Sequence, residues 1–337
     1  MDNLRLLCTG SCGFIGSNFV RYIRANYPHA QILIVDCLTY AGNLDNIKDI
    51  PNVVLQTTNI CDEEQINQIF EEYQPNVVVH YAAESMVDRS IKNAQPFIMT
   101  NVYGTYVLLQ AALQQHKKNR SIKFVQIGSD EVYGHLTPND PPFNEDDPIA
   151  ARSPYSASKA SSDYLVLSYW STYRLPVIVS RSCNVYGPYQ HIEKLIPKTI
   201  TNIINNQPIP IYGKGEQIRE WLYVEDHCKA IEYVIKHGEL GEVYNIGSGL
   251  EFSNINLVRL ICASFHQMYG YTAAQTSGLI TFVEDRLGHD FRYALDCTKL
   301  KKLGFEIPNP IHFTTKLEDT IRWYIEHPKH FNKEYAQ

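Results

Sequence analysis

The sequence of 337 residues is informative first for what it lacks. Its eight cysteines include no Cys-x-x-Cys pair and its twelve histidines no His-x-x-x-His pair, so neither a disulfide scaffold nor a metal site is expected. No apolar run approaches the roughly 20 residues that span a bilayer. The net charge of −6 gives no reason to expect a nucleic acid or an anionic membrane as a partner.

The composition indicates an ordinary globular protein. The chain is 44% apolar and 20% charged, and it contains no low-complexity tract. The N-terminus leads directly into an apolar run that starts at Leu4, with no signal-peptide pattern before it. Several cysteines lie inside apolar runs, which is typical of reduced, buried thiols. We therefore expect a cytoplasmic protein.

Apolar runs alternate with helix-like segments over the first 180 residues. This alternation predicts βαβ units and an α/β fold, with a doubly wound parallel sheet that carries helices on both faces. Strands are predicted at 4–8, 32–35, 53–56, 77–80, 124–127 and 177–180, and helices at 17–27, 62–73, 96–115 and 154–173.

The alternation breaks after Arg181, where prolines at 188, 197, 208 and 210 and the stretch YGKGE follow. A further strand is predicted at 243–246, and further helices at 224–237 and 254–269. We read these segments as a second, smaller lobe that is interleaved with the end of the first.

A glycine loop follows the first predicted strand. Glycines 10, 13 and 16 stand between that strand and a helix, a spacing that lets backbone amides approach a pyrophosphate. Asp36 ends the second strand 20 residues after Gly16, where an acid can bind an adenosine ribose diol. A carboxylate there also repels a 2′-phosphate, so NAD is the expected cofactor rather than NADP.

In the stretch KFVQIGSDEVYG, the residues Ser129, Asp130 and Glu131 closely follow the predicted fifth strand. In an open parallel sheet, ligands bind beyond the carboxyl ends of the strands, so these side chains are expected to face a cleft. Two adjacent carboxyls can divide acid and base work if their environments separate their pKa values. Ser129 or Asp130 is equally able to serve only as the cap of a turn or helix.

Tyr155 and Lys159 lie four residues apart, on one face of a predicted helix. An ammonium beside a phenol favours the phenolate, so we expect Lys159 to lower the pKa of Tyr155 toward working pH. Ser129 can hydrogen-bond the same substrate oxygen. Together with the glycine loop, these three residues predict hydride transfer between a hydroxyl and a nicotinamide.

Several motifs resemble the extended short-chain dehydrogenase/reductase family. Within it, the chain is similar to the nucleotide-sugar 4,6-dehydratases that act on dTDP-glucose, in which an Asp-Glu pair after a Ser or Thr separates dehydratases from epimerases. The motifs that carry the resemblance are TGSCGFIGSN, VDCLTYAGNLDN, HYAAESMVDRSI, GSDEVYG, YSASKA, RSCNVYGPYQ, EKLIPK, YGKGEQIREWLYVEDH, GEVYNIGSG and VEDRLGHDFRYALD.

The resemblance implies a three-step reaction. Tyr155 takes the proton of the sugar 4-hydroxyl while hydride passes from C4 to NAD. Glu131 then removes the C5 proton as Asp130 protonates the departing 6-hydroxyl. Hydride returns to C6 and a proton to C5, which gives a 4-keto-6-deoxy sugar and regenerates NAD.

The resemblance also implies binding residues. Catalytic positions are Ser129, Asp130, Glu131, Tyr155 and Lys159. Cofactor positions are Gly10, Gly13, Phe14, Ile15, Gly16, Asp36, Leu38, Thr39, Ile60, Ala82, Ala83, Glu84, Thr100, Tyr155 and Lys159. Substrate positions are Ser85, Ser129, Asn184, Lys194, Leu195, Pro210, Ile211, Tyr212, Arg219, Asn254, Asp285, Arg286 and His289.

The sequence departs from the family pattern at five positions, none of which removes a reacting group. Met86 stands where His is usual and Ser129 where Thr is commoner. Asn59, Val185 and Leu287 replace an Asp, an Asn and a Pro. These departures bear on cofactor affinity and on the nucleotide base that is accepted.

Two lobes are predicted. Residues 1–182, joined again by 223–247, are expected to form an NAD-binding Rossmann domain, and residues 183–222 and 248–330 a smaller α/β lobe that binds the sugar nucleotide. In this family the helices at 96–115 and 154–173 pack across a two-fold axis, which implies a homodimer through a four-helix bundle.

Other functions stay open at this point. A UDP-glucose 4,6-dehydratase fits the motifs as well. A nucleotide-sugar 4-epimerase has no use for Asp130 and Glu131, and a non-catalytic NAD-sensing module has no use for Tyr155 and Lys159.

Overall fold

The computed structural model describes residues 4–306 and 310–328. The ends of the predicted two-lobe division, at 1–3 and 329–330, lie outside the described residues, as do residues 307–309. The strands are β1 (Arg5–Thr9), β2 (Gln31–Asp36), β3 (Val53–Thr57), β4 (Val77–His80), β5 (Lys123–Ser129), β6 (Val177–Ser182), β7 (Asn184–Tyr186), β8 (Ile209–Tyr212), β9 (Ile218–Tyr223), β10 (Val243–Ile246), β11 (Glu251–Ser253) and β12 (Ile280–Val283).

The α-helices are α1 (Phe14–Asn26), α2 (Glu63–Tyr73), α3 (Val87–Lys92), α4 (Gln95–Phe97), α5 (Thr105–Lys117), α6 (Pro154–Tyr173), α7 (Leu195–Ile204), α8 (Val224–His237), α9 (Asn254–Tyr269), α10 (Thr298–Lys302) and α11 (Phe313–Glu326). A π-helix (Ile98–Gly104) joins α4 to α5, and short 3-10 turns lie at Leu44–Asn46, Asp130–Tyr133, Ala273–Gln275, Ser277–Leu279 and Pro310–His312.

Seven strands form the central sheet, in the order β10-β6-β5-β4-β1-β2-β3. All six neighbouring pairs are parallel. The order reverses between β1 and β4, and a crevice opens at such a switch point beyond the carboxyl ends of the strands. The predicted α/β fold with a doubly wound parallel sheet is therefore confirmed.

Successive residues of these strands are buried against opposite faces of the sheet. Leu6 and Cys8 belong to one hydrophobic cluster, whereas Leu7 belongs to another, and Ile34 and Val35 divide in the same way. Because both faces are covered by helices, the strands read as continuous apolar runs. This is the reason why the sequence revealed them.

A third hydrophobic cluster lies among later elements. It includes Ile200 of α7, Leu257 of α9 and Leu317 of α11. Two small sheets accompany it, β11-β9-β7 and β12-β8. Of the later elements, the sequence predicted β10, α8 and α9 with the observed limits but not α7 or α11. The boundaries of the two lobes stay a prediction.

The predicted helix at 96–115 is the main departure among the early elements. Its middle, Ile98–Gly104, is a π-helix, so the backbone pairing there is one residue wider than in an α-helix. Such insertions are frequent at functional sites. The helix at 154–173 was predicted with the observed limits.

Candidate active site

A cavity of about 760 Å³ lies along the carboxyl ends of the central strands. It brings together all the predicted site residues except two, Leu38 and Asp285, which do not line it. Segments that are distant in sequence, from the glycine loop to His289, therefore share one space.

The glycine loop forms a backbone cradle at one end of this cavity. Gly10 has a φ of +66°, and a Cβ there would lie 2.5 Å from Ala82 Cα, in the loop after β4. A Cβ on Gly16 would lie 2.7 Å from Ser11 Cα. Helix α1 begins at Phe14, and Gly13 before it offers no side-chain cap. Its first amides can therefore bind an anion.

Asp36 is held in place by the backbone around it. Its Oδ2 accepts a hydrogen bond from Cys12 N at 2.9 Å and its Oδ1 one from Leu38 N at 2.8 Å. Burial raises the pKa of Asp36, and these two amides oppose that effect. Leu38, predicted as a cofactor residue, supplies this backbone donor with a φ of +52°, and its contact with the cofactor stays a prediction.

Ser129 caps the turn that follows β5. Its Oγ accepts a hydrogen bond from Glu131 N at 3.3 Å, so the capping interpretation is right for the backbone. The cap does not account for the acids, because Asp130 is only 2% exposed and both carboxyls line the cavity. Asp130 Oδ2 has no hydrogen-bond partner among the described residues.

The two adjacent acids have different electrostatic environments. Burial raises the pKa of Asp130 well above its ordinary value, and the carboxyls of Glu131 and Glu220 raise it further, while Arg219 opposes the rise. Burial also raises the pKa of Glu131, but Arg219 and Lys194 oppose this effect. The surroundings therefore favour a proton on Asp130, while Glu131 has the additional cations Lys194 and Arg286 near it, which favour its ionised form.

Tyr155 and Lys159 both line the cavity. Burial raises the pKa of Tyr155, and the charge of Glu131 adds to the rise, whereas a hydrogen bond with Ser129 opposes it. Lys159 Nζ donates to the backbone oxygen of Ile127 at 2.6 Å. The pKa of Tyr155 is thus raised by the protein groups around it, and the effect of the Lys159 charge on Tyr155 stays a prediction.

Asn101, in the π-helix, was missed at the sequence level. Its Oδ1 accepts from Glu84 N at 2.8 Å, and its Nδ2 donates to Glu84 O at 3.0 Å and to Ser158 Oγ at 2.8 Å. It thus ties the loop after β4 to the helix turn between Tyr155 and Lys159. A polar residue within an apolar helical run was the only signal for it.

Cationic groups line the other end of the cavity. Arg219 is buried, lies over the Tyr293 ring at 4.2 Å and donates to backbone oxygens, among them Asp290 O at 3.0 Å. Lys194 Nζ donates to Ser85 O at 3.0 Å. Tyr293 also lines the cavity and was not predicted.

Asp285 acts from outside the cavity wall. Its Oδ1 lies 2.7 Å from His289 Nδ1, and its Oδ2 accepts from Gln217 Nε2 at 2.9 Å. It therefore orients His289, which lines the cavity, and its predicted contact with the substrate stays a prediction.

The described residues contain no group of three or more His, Cys, Asp or Glu side chains that could hold a metal ion. None of their helices is long and apolar enough to cross a membrane. All eight cysteines are free, and six of them are buried, as the sequence predicted.

Comparisons with known proteins agree with this geometry. A sequence model of the family described as GDP-mannose 4,6 dehydratase matches residues 7–319. The chain is 44% identical to the dTDP-glucose 4,6-dehydratase of Haemophilus influenzae, over 96% of this chain and 98% of that one. It is 47% identical to the low-salt glycan biosynthesis protein Agl12 of Haloferax volcanii, over 95% and 98% of the two chains.

The fold comparison gives the same result. The solved structure of DesIV, a dTDP-glucose 4,6-dehydratase from Streptomyces venezuelae with NAD bound, has a TM-score of 0.89 at 39% identity and covers 97% of this chain and 99% of its own. The chain therefore belongs to the GDP-mannose 4,6 dehydratase family, among the extended short-chain dehydrogenases/reductases.

Proposed function

We propose that the chain is a dTDP-glucose 4,6-dehydratase, an NAD-dependent hydro-lyase that forms dTDP-4-keto-6-deoxyglucose. One observation carries this proposal: two adjacent acids, the buried Asp130 and the partly buried Glu131, share a cavity with Ser129, Tyr155 and Lys159. Oxidation alone has no use for a further pair of acids. Elimination of water needs both a proton donor at C6 and a base at C5.

The residues present fit NAD. The cradle at Gly10 and Gly16 has no room for a Cβ, the N-terminus of α1 is free to meet a pyrophosphate, and Asp36 is placed for a ribose diol. NAD bound there would supply a hydride acceptor for C4 and, once reduced, a hydride donor for C6. The remaining predicted cofactor residues that line the same end are Phe14, Ile15, Thr39, Ile60, Ala82, Ala83, Glu84 and Thr100.

Tyr155 is the proposed base for the 4-hydroxyl proton, and Ser129 hydrogen-bonds the same oxygen. The charges of Asp130 and Glu131 both oppose the phenolate, so keeping Asp130 neutral removes one of these two charges. Lys159 supplies a buried positive charge one helical turn away. The raised pKa of Asp130 thus serves the oxidation step as well as the elimination.

The elimination uses the separated acids. Glu131, ionised and faced by Arg219 and Lys194, removes the C5 proton that the 4-ketone has made acidic. Asp130, still protonated, donates to the 6-hydroxyl so that water departs rather than hydroxide.

The cationic end of the cavity is the proposed site of the sugar nucleotide. Arg219 and Arg286 suit its diphosphate, because guanidinium groups bind phosphate oxygens in planar pairs. The other predicted substrate residues that line this end are Ser85, Asn184, Lys194, Leu195, Pro210, Ile211, Tyr212, Asn254 and His289.

One incubation tests the function. The purified protein is incubated separately with dTDP-glucose and with UDP-glucose, and the masses of the products are measured by mass spectrometry. Loss of one water from dTDP-glucose, with a higher kcat/KM than for UDP-glucose, is the expected result. A higher kcat/KM for UDP-glucose makes the protein a UDP-glucose 4,6-dehydratase. An unchanged mass with galactose formed indicates an epimerase, and bound NAD without turnover a sensor.

We also propose a homodimer. Ile98, Met99, Tyr164 and Tyr173 leave between 42% and 58% of their surface exposed on the π-helix and α6, which pack together. Large apolar side chains exposed together mark interaction surfaces.

A cytoplasmic location is also proposed, because all eight cysteines are free thiols.

A further inference from the structure

Helix α3 follows directly on the loop that carries the proposed cofactor residues Ala82–Glu84. Its second residue, Asp88, lines the cavity and accepts two parallel hydrogen bonds from Arg286, from Nε at 2.7 Å and from Nη2 at 3.0 Å. Tyr212 OH donates to the same carboxylate at 3.3 Å. One acid thus holds two residues of the proposed diphosphate end, one of them 198 positions away.

This contact fixes the plane of a guanidinium. Two parallel N–H···O bonds define an orientation that a single ion pair does not. The Tyr212 ring lies under the guanidinium carbon of Arg286 at 5.2 Å and supports the same plane. The Nη1 group is then left for a phosphate oxygen. Since both side chains are partly exposed, at 21% and 32%, the pair itself adds little to folding stability.

The neighbouring residue anchors α3 on the opposite side. Arg89 lies over the Tyr40 ring at 3.8 Å and forms an ion pair with Glu193. Tyr40 follows β2, and Glu193 adjoins Lys194. Contacts of both Asp88 and Arg89 therefore hold the helix in place.

We propose that Asp88 is a positioning residue, which orients Arg286 and Tyr212 toward the diphosphate of the sugar nucleotide. This inference rests on the proposed function, because it needs a diphosphate at that end of the cavity. Asp88 touches no reacting atom in this proposal, so its loss is expected to change substrate binding and to leave the chemical step intact.

The test compares Asp88→Asn with Asp49→Asn. Asp49 makes the same two-bond pair with Arg21, at 2.7 and 2.8 Å, outside the cavity. For Asp88→Asn we expect KM for dTDP-glucose to rise about tenfold, the loss of one well-directed charged hydrogen bond, with kcat within about twofold of the parent value. Asp49→Asn is expected to change neither.

Two further measurements test the role of Asp88 without relying on turnover or on the folding of one variant. Calorimetry with dTDP alone should show the same tenfold loss of affinity in Asp88→Asn. The Arg286→Lys variant cannot form the two-bond pair. Adding Asp88→Asn to that variant should therefore lower its dTDP affinity little further.

The outcomes separate the inference from the function. An unchanged KM and an unchanged dTDP affinity in Asp88→Asn overturn it, and so does a fall in kcat without a rise in KM. If the parent protein does not dehydrate dTDP-glucose, the proposed function fails, but dTDP affinity still decides whether Asp88 positions Arg286.

Discussion

At the residue scale, two neighbouring acids acquire different chemistry from what surrounds them. Burial and the carboxyls of Glu131 and Glu220 raise the pKa of Asp130, whereas Glu131 is faced by Lys194 and Arg286 in addition to the Arg219 that both acids share. The sequence predicted that the two must differ, because adjacent identical groups cannot act as acid and base together. It could not say which partners cause the difference, since Glu220 lies about 90 residues further along the chain.

Replacing either acid should separate oxidation from elimination. In Asp130→Asn and Glu131→Gln, oxidation at C4 should persist, so NADH absorbance should accumulate in a single turnover. Water loss should slow by about 10²- to 10⁴-fold, the usual contribution of a positioned acid or base. Stopped-flow absorbance with quenched mass spectrometry measures both steps. Parent-like water loss in either variant contradicts the assignment.

The rate of water elimination should fall at both low and high pH. Asp130 keeps its proton until pH rises through its raised pKa, so the rate of water loss falls at high pH. Glu131 ionises only above its own raised pKa, so the rate also falls at low pH. Single-turnover rates across the pH range report these as apparent values of the pair. A rate that climbs steadily with pH would argue against a protonated Asp130.

A buried ion pair joins α6, the helix that carries Tyr155 and Lys159, to β6. Asp163 and Arg181 are both less than 5% exposed, their charged atoms are 3.0 Å apart, and Asp163 lies one turn beyond Lys159. Asp163→Asn leaves Arg181 buried without its counter-charge, which should cost about 3–5 kcal/mol of folding free energy. Urea unfolding measures it. The matched surface change, Glu225→Gln in the pair with Lys229, should cost at most about 1 kcal/mol.

At the element scale, the sequence predicted what local pattern can reveal. The parallel strands and α6 were visible because burial on two faces and a continuous helical run leave a local signature. Helix α7 was missed because Pro197 looked like a breaker, yet it stands in the first helical turn, where its missing amide is harmless. Strands such as β8 and β12 pair across about 70 residues, and no local pattern records such a partner.

Substitution of Asn101 tests whether the π-helix anchors the loop after β4. Asn101→Ala removes all three bonds from its amide to Glu84 and Ser158, each worth about 1 kcal/mol. We expect NAD to dissociate at least about tenfold faster, because the loop after β4 loses its anchor. Release of NAD is followed by fluorescence. Asn26→Ala, which removes one exposed bond to Tyr22, is the control and should leave NAD binding unchanged.

At the scale of the whole molecule, most of the predicted site converges on one cavity although its residues come from the entire chain. Topology accounts for this, because parallel strands place all their carboxyl ends on one edge of the sheet. Topology does not specify how side chains are oriented, and the structure shows contacts of Leu38, Asp285 and Lys159 that the sequence did not predict. The backbone amide of Leu38 donates to Asp36, Asp285 lies beside His289, and Lys159, which lines the cavity, donates to the backbone oxygen of Ile127.

The proposed dimer can be tested on its exposed apolar surface. Ile98→Glu combined with Tyr164→Asp places charges on side chains that are 55% and 58% exposed, and it should convert dimers to monomers in light scattering after gel filtration. Val54→Glu, at a side chain 60% exposed on β3, should leave the assembly unchanged. Monomeric parent protein contradicts the proposal.

The position of β10 has a consequence for synthesis on the ribosome. This strand pairs with β6, yet about 60 residues separate Ser182 from Val243. At 5–20 residues per second, roughly 3–12 s pass before the partner of β6 is made. During that interval the strand next to the catalytic one presents a bare edge on which another nascent chain can pair. The yield of folded protein is therefore set partly by how fast residues 183–242 are translated.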